Sequence, residues 1–168
     1  GMNAIVFQEL REKRGLAYSA WARYAAPSTP NEPFRNLSFI QTQNDKVIEA
    51  LNAFNELFND MPQSENSFTL SKESMMNGME AERINNMDII WSFIANRRMG
   101  RDYDLRKKIY EALPKMTMVD VKAFNEKNIK EQPKTYVILG NEKLLNFDEI
   151  SKQFGPVERV SAEDYFGY

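Results

Sequence analysis

Between Phe7 and Ala20 the chain reads FQELREKRGLAYSA, and this stretch restricts the fold more than any other. Ile5, Phe7 and Leu10 belong to an amphipathic helical segment. Lys13 and Arg14 fall in its last turn, where cations suit the negative end of the helix dipole. Gly15 follows at the place where a left-handed residue most easily ends a helix. Beyond it Leu16, Tyr18, Ala20, Ala22 and Tyr24 alternate with Ala17, Ser19, Trp21, Arg23 and Ala25, the two-residue period of a strand. Helix, glycine stop and strand in so few residues make a corner. Arg11 and Tyr18 flank it, and two polar side chains on one corner can point into the same cleft.

The rest of the chain supplies the surroundings. Pro27, Pro30 and Pro33 break any ladder over 26–33, and Phe34 to Thr42 alternates again, so an antiparallel pair is expected. Asn44 or Asp45 is expected to cap a helix with an apolar stripe of Val47, Leu51, Phe54 and Phe58, ended by Met61-Pro62-Gln63. Ser64 caps the next, which carries Phe68, Met75 and Met79 and breaks at Asn85-Asn86. A bulky helix over 88–98 stops at Gly100. Asp102 is expected to cap a helix with Leu105, Ile109 and Leu113, closed by Pro114. Thr117-Met118-Val119-Asp120 resembles a capping box with Asp for the usual Glu, and opens a helix through Val121, Phe124 and Ile129. After Pro133, residues 135–140 read as an apolar strand. A short helix through Phe147, Ile150 and Phe154, a short strand over 157–160 and an aromatic tail over 165–168 complete the order. The expected fold class is α+β: a mostly antiparallel sheet of about four strands, with several helices packed on one face. No linker or repeat divides residues 1–168, which are expected to form a single domain.

Composition removes whole classes of chemistry. The chain has 168 residues with no cysteine and no histidine. Disulfides, thiolate zinc sites, histidine bases and histidine-dependent triads are therefore excluded. A carboxylate-only magnesium or calcium site stays open, but no acidic cluster resembles a calcium loop, and no metal is assigned to this chain. A net charge of -2 gives no electrostatic case for nucleic acid or an anionic membrane. No apolar run is long enough to span a bilayer, and the opening residues carry no signal-peptide pattern. If the protein serves an enzyme, something essential lies outside this chain.

The segment from Phe7 to Tyr18 resembles the arginine-to-tyrosine segment of the pitrilysin and insulinase zinc metallopeptidases, a family that includes the mitochondrial processing peptidases. The start of the helix at Thr117 to Phe124, the strand ending in Gly140, and Phe154-Gly155-Pro156-Val157 before Phe166-Gly167-Tyr168 are similar to the carboxyl end of a bacterial member, in the right order. A subunit of that family holds two related α+β domains. The first carries the inverted zinc motif H-x-x-E-H; the second has lost the ligands and faces it with an arginine and a tyrosine. Without histidine this chain resembles the second domain, inactive alone and lacking its opening strands. The resemblance implies that Tyr18 donates a hydrogen bond to the scissile carbonyl as it becomes an oxyanion, and that Arg11 holds a substrate backbone carbonyl. It implies zinc on a partner domain, of the same polypeptide or a paired subunit, and a peptide as substrate. It leaves the compartment open between a bacterial cytoplasm and periplasm, with any signal upstream.

Other residues read as structural. Lys13 and Arg14 are helix-end charges, Glu9 and Glu12 a solvated face, and the nine methionines core filler. Trp21 and Arg23 lie on the strand face opposite Tyr18 and are assigned to packing and to solvent or a domain contact. Two rival readings stand beside the peptidase one. The first is a scaffold subunit that binds a partner without peptidase activity. The second is an unrelated α+β interaction domain, which a corner lacking a cleft would favour. Missing opening strands would leave a sheet edge through which the chain forms a homo-oligomer.

Overall fold

Val6 and Leu10, four residues apart on one helical face, are both fully buried. Ile5 and Phe7 of the same helical segment are half-buried, because positions 5 and 7 point to different sides of the helix that Leu10 anchors. The computed structural model describes residues 2–167, and side chains from residue 5; Gly1 and the Tyr168 of the expected aromatic tail lie outside the described residues. Helix α1 (Met2–Phe7) runs directly into a π-helical turn over Gln8–Lys13. Arg14 caps it, and Gly15 turns left-handed at φ 60°. The Gly15 N–H donates to the Arg11 carbonyl at 3.2 Å, the bond of a glycine helix stop. The Leu16 N–H donates to the Leu10 carbonyl at 2.9 Å and fastens the outgoing chain to the widened turn.

Leu16 and Ala17 are both buried, so the chain crosses the core before strand alternation begins. Strand β1 therefore spans Ser19–Ala25, three residues later than the pattern from Leu16 implied. It pairs antiparallel with β2 (Arg35–Gln41), Ser19 opposite Gln41 and Ala25 opposite Arg35. The opposed pair Ala20 and Ile40 belongs to the core face, with Ala22 beside them. On the other face Trp21 stacks on its partner Phe39 at 5.9 Å.

Helix α2 (Val47–Asn59) covers the core face with Ala53, Phe54, Leu57 and Phe58. Neither Asn44 nor Asp45 caps it: a 3-10 turn over Asn44–Lys46 leads in, and the side chain at the capping position, Lys46, makes no capping bond. Ser64 caps α3 (Glu65–Ala81) as expected. Asn85 forms a capping box with Asp88 at the head of α4 (Asn86–Arg98). Asp104, not Asp102, caps α5 (Leu105–Ala112), since its carboxylate is the one within reach of the Arg106 N–H. Thr117 and Asp120 form the expected box on α6 (Met118–Asn128), whose trailing Ile129 enters the core. Helix α7 (Phe147–Phe154) follows. In the expected aromatic tail, Ser161 and Asp164 box a further helix, α8 (Ala162–Phe166).

The fold is α+β, and its sheet has two strands rather than about four among the described residues. Residues 135–140 and 157–160 form no ladder. Strand propensity needs a partner edge, and no backbone hydrogen bond joins 134–139 to another segment among the described residues. Exposure still alternates along that segment, with Tyr136 and Ile138 half-buried and Val137 and Leu139 exposed, and Tyr136 anchors it: its hydroxyl donates to Asn55 Oδ1 at 3.0 Å and its ring meets Phe154 at 5.1 Å.

Candidate functional site

The corner built by Leu10, Gly15 and Leu16 carries both predicted site residues. Arg11 rides on the π turn, a widening of the helix that recurs at functional sites. Its guanidinium lies over the Phe7 ring, 4.7 Å from the centroid, so one helical turn of spacing aims it. No carboxylate pairs with it among the described residues. Its neighbours are engaged elsewhere. Lys13 pairs with Glu9, and Arg14 reaches Glu56 of α2 at 2.7 Å, tying the turn to the helix beneath.

Tyr18 stands where the chain enters β1. Its N–H donates to the Gln41 carbonyl at 2.8 Å, which fixes its backbone to the end of β2. Its side chain is 77% exposed, and its hydroxyl has no partner among the described residues. Exposure corrects the expectation that Tyr18 shares a face with Ala20 and Ala22: the ladder begins one residue after it, so the alternation does not reach it. The assigned packing of Trp21 holds, and the Arg23 guanidinium lies over its ring at 5.5 Å.

Arg11 and Tyr18 thus share a corner, with two hollows elsewhere on the surface. A shallow hollow beside the π turn is lined by Glu9, Arg14 and the polar face of α2, including Asn52, Asn55 and Glu56. A slot of about 990 Å³ opens between β2 and residues 132–139. Neither contains Arg11 or Tyr18. No group of three acidic, cysteine or histidine side chains is placed to hold a metal among the described residues. Two supporting residues escaped sequence reasoning. Phe7, which orients Arg11, had a signal in its four-residue spacing; Glu56, 42 residues from Arg14, had none. The chain matches no protein-family model, no curated protein and no solved structure.

Proposed function

We propose that this chain is the carboxyl-terminal, non-zinc domain of an insulinase-type metallopeptidase, and that Arg11 and Tyr18 act on a peptide held against a zinc-bearing domain. One observation supports the reading above the others. Among the described residues, a guanidinium without a carboxylate partner and a phenol without a hydrogen-bond partner stand exposed on the two sides of one hydrogen-bonded glycine corner. Arg11 offers a rigid fork of N–H donors to a peptide carbonyl. Tyr18 offers a single O–H to the oxygen on which charge develops. Zinc held by the facing domain would supply the activated water. An open corner suits this division, because the facing domain completes the chamber.

A second reading is a partner-binding module without peptidase chemistry, either a scaffold of that family or an unrelated domain. Two observations favour it: neither Arg11 nor Tyr18 lines the slot or the hollow, and α4 exposes Ile89, Trp91 and Phe93.

Tyr18→Phe in the full-length protein separates the two. Loss of an oxyanion donor lowers kcat by about 100- to 1,000-fold. Thermal unfolding stays unchanged, because the hydroxyl has no partner to lose. A kcat within about twofold of the parent, with substrate still cleaved, refutes the catalytic role. Arg11→Lys is expected to raise KM more than it lowers kcat, because a point charge cannot reproduce the fork.

A further inference from the structure

The slot beside β2 has the form of a vacant strand position. All nine consecutive residues 34–42 line it, as do all of 132–139. Consecutive residues point to opposite faces of a strand, so it is two edges, not two faces, that bound the slot. Val47, Leu51, Phe54 and Phe58 of α2 form its apolar floor. A seven-residue strand like β2 is about 23 Å long, takes about 4.8 Å of sheet width, and fills a layer about 10 Å thick, on the order of 1,100 Å³. The slot runs the whole length of β2, with about 990 Å³ of open space along it.

The chain itself carries a segment of that description. Residues 134–139, Lys-Thr-Tyr-Val-Ile-Leu, are rich in β-branched and aromatic side chains and make no backbone bond to another segment among the described residues. Val137 and Leu139 are 92% and 102% exposed. From Thr135 to Leu139 there is no charge, so two such segments meet without like-charge opposition.

We propose that two copies of this chain exchange these segments. Residues 134–139 of one copy lie in the slot of the other, paired on one side with the partner's β2. On the other side the two identical segments pair antiparallel across a two-fold axis. The product is one continuous six-stranded sheet, β1 and β2 of each copy outside and the exchanged strands at its centre. This is a closed, isologous contact that leaves neither slot edge open. It also offers a backbone donor to Thr42 at the slot's end, whose buried hydroxyl has no partner among the described residues. The inference concerns the 168-residue chain and does not rest on the peptidase reading.

Sedimentation equilibrium and amide exchange on the 168-residue chain test it. The expected species is a dimer of twice 19.6 kDa that dissociates on dilution, with the amides of 135–139 protected only in the dimer. Val137→Pro removes a ladder donor from a side chain that touches almost nothing, and Val137→Lys sets two charges near the axis. Each weakens the dimer at least tenfold while helical circular dichroism stays at the parent level. Phe93→Glu on α4 leaves the dimer intact. A chain that is monomeric at every concentration overturns the proposal. So does a dimer that survives both Val137 variants but not Phe93→Glu, and so does a monomer whose 135–139 amides are already protected by closure onto their own β2.

Discussion

Asn44 Oδ1 accepts a 3.0 Å hydrogen bond from the backbone N–H of Asn141, 97 residues later. Asn44 closes the β2 side of the slot and Asn141 follows its far wall, so one amide spans the end of the vacant position. Gly140 makes room for it: a β-carbon there would stand 2.6 Å from the same oxygen.

Gly140→Ala is therefore expected to act through Asn44. The added methyl meets the tip of a side chain that can rotate away, and rotating away breaks the bond to Asn141. Gly140→Ala and Asn44→Ala should each cost about 1 kcal/mol, the net worth of one hydrogen bond. The double variant should cost little more than either alone, because both remove the same contact. Urea unfolding of the three variants checks this; additive losses would mean that Gly140 serves the fold by some other route.

The link between Arg14 and Glu56 is short but wet, with both side chains more than a third exposed. Glu56→Ala should cost under about 1 kcal/mol, and less still as salt rises. Leu10, fully buried two helical positions from the same corner's Glu12, behaves differently. Leu10→Ala should cost about 2–5 kcal/mol through lost burial and a residual cavity. Chemical denaturation at low and high ionic strength distinguishes the two, and a salt-independent loss at Glu56 would contradict the account.

How much of this was legible in the sequence follows from the range of each interaction. Caps are local, so Ser64 and the Thr117–Asp120 box read correctly, as did the glycine stop and the hairpin. The misplaced caps at Asn44 and Asp102 failed because a nearby asparagine or aspartate can spend its side chain elsewhere; Asn44 spends it on Asn141. Residues 135–140 had the composition of a strand, but a strand also needs a neighbouring edge, which no local pattern reports. At the site, the spacing of Arg11, Gly15 and Tyr18 placed both side chains on one corner. That Tyr18 stands exposed ahead of the ladder depended on where β1 begins, which its local alternation does not report.

The capping box on α6 should respond to acid. The Thr117 hydroxyl and backbone N–H both donate to the Asp120 carboxylate and hold its pKa below the ordinary carboxylate value. A carboxyl whose folded pKa is depressed adds stability above its unfolded pKa, near 3.9, and loses it as pH falls through the lower folded value. Asp120→Asn should flatten this part of the stability profile below about pH 4. Thr117→Ala should cost about 1 kcal/mol at neutral pH, the usual worth of an N-cap. Thermal melts from pH 7 to pH 2.5 provide the measurement, and parallel profiles for parent and Asp120→Asn would refute the linkage.

Tyr110 should respond to alkali in the opposite sense. Its hydroxyl donates to Glu80 at 2.6 Å, joining α5 to α3. That hydrogen bond, reinforced by the carboxylate's negative charge and a little desolvation, raises the phenol pKa above its ordinary value. A group with a raised folded pKa contributes its stability below the unfolded value, about 10 for tyrosine, and loses it as pH rises through the higher folded value. Glu80→Gln keeps an acceptor but removes the charge, so Tyr110 should titrate at lower pH in that variant than in the parent. Following the Tyr110 ring carbons by NMR isolates it from the other six tyrosines. Identical titration curves in parent and Glu80→Gln would show that the two side chains do not meet in solution, leaving the Arg106 bond to the Met79 carbonyl to join α5 to α3.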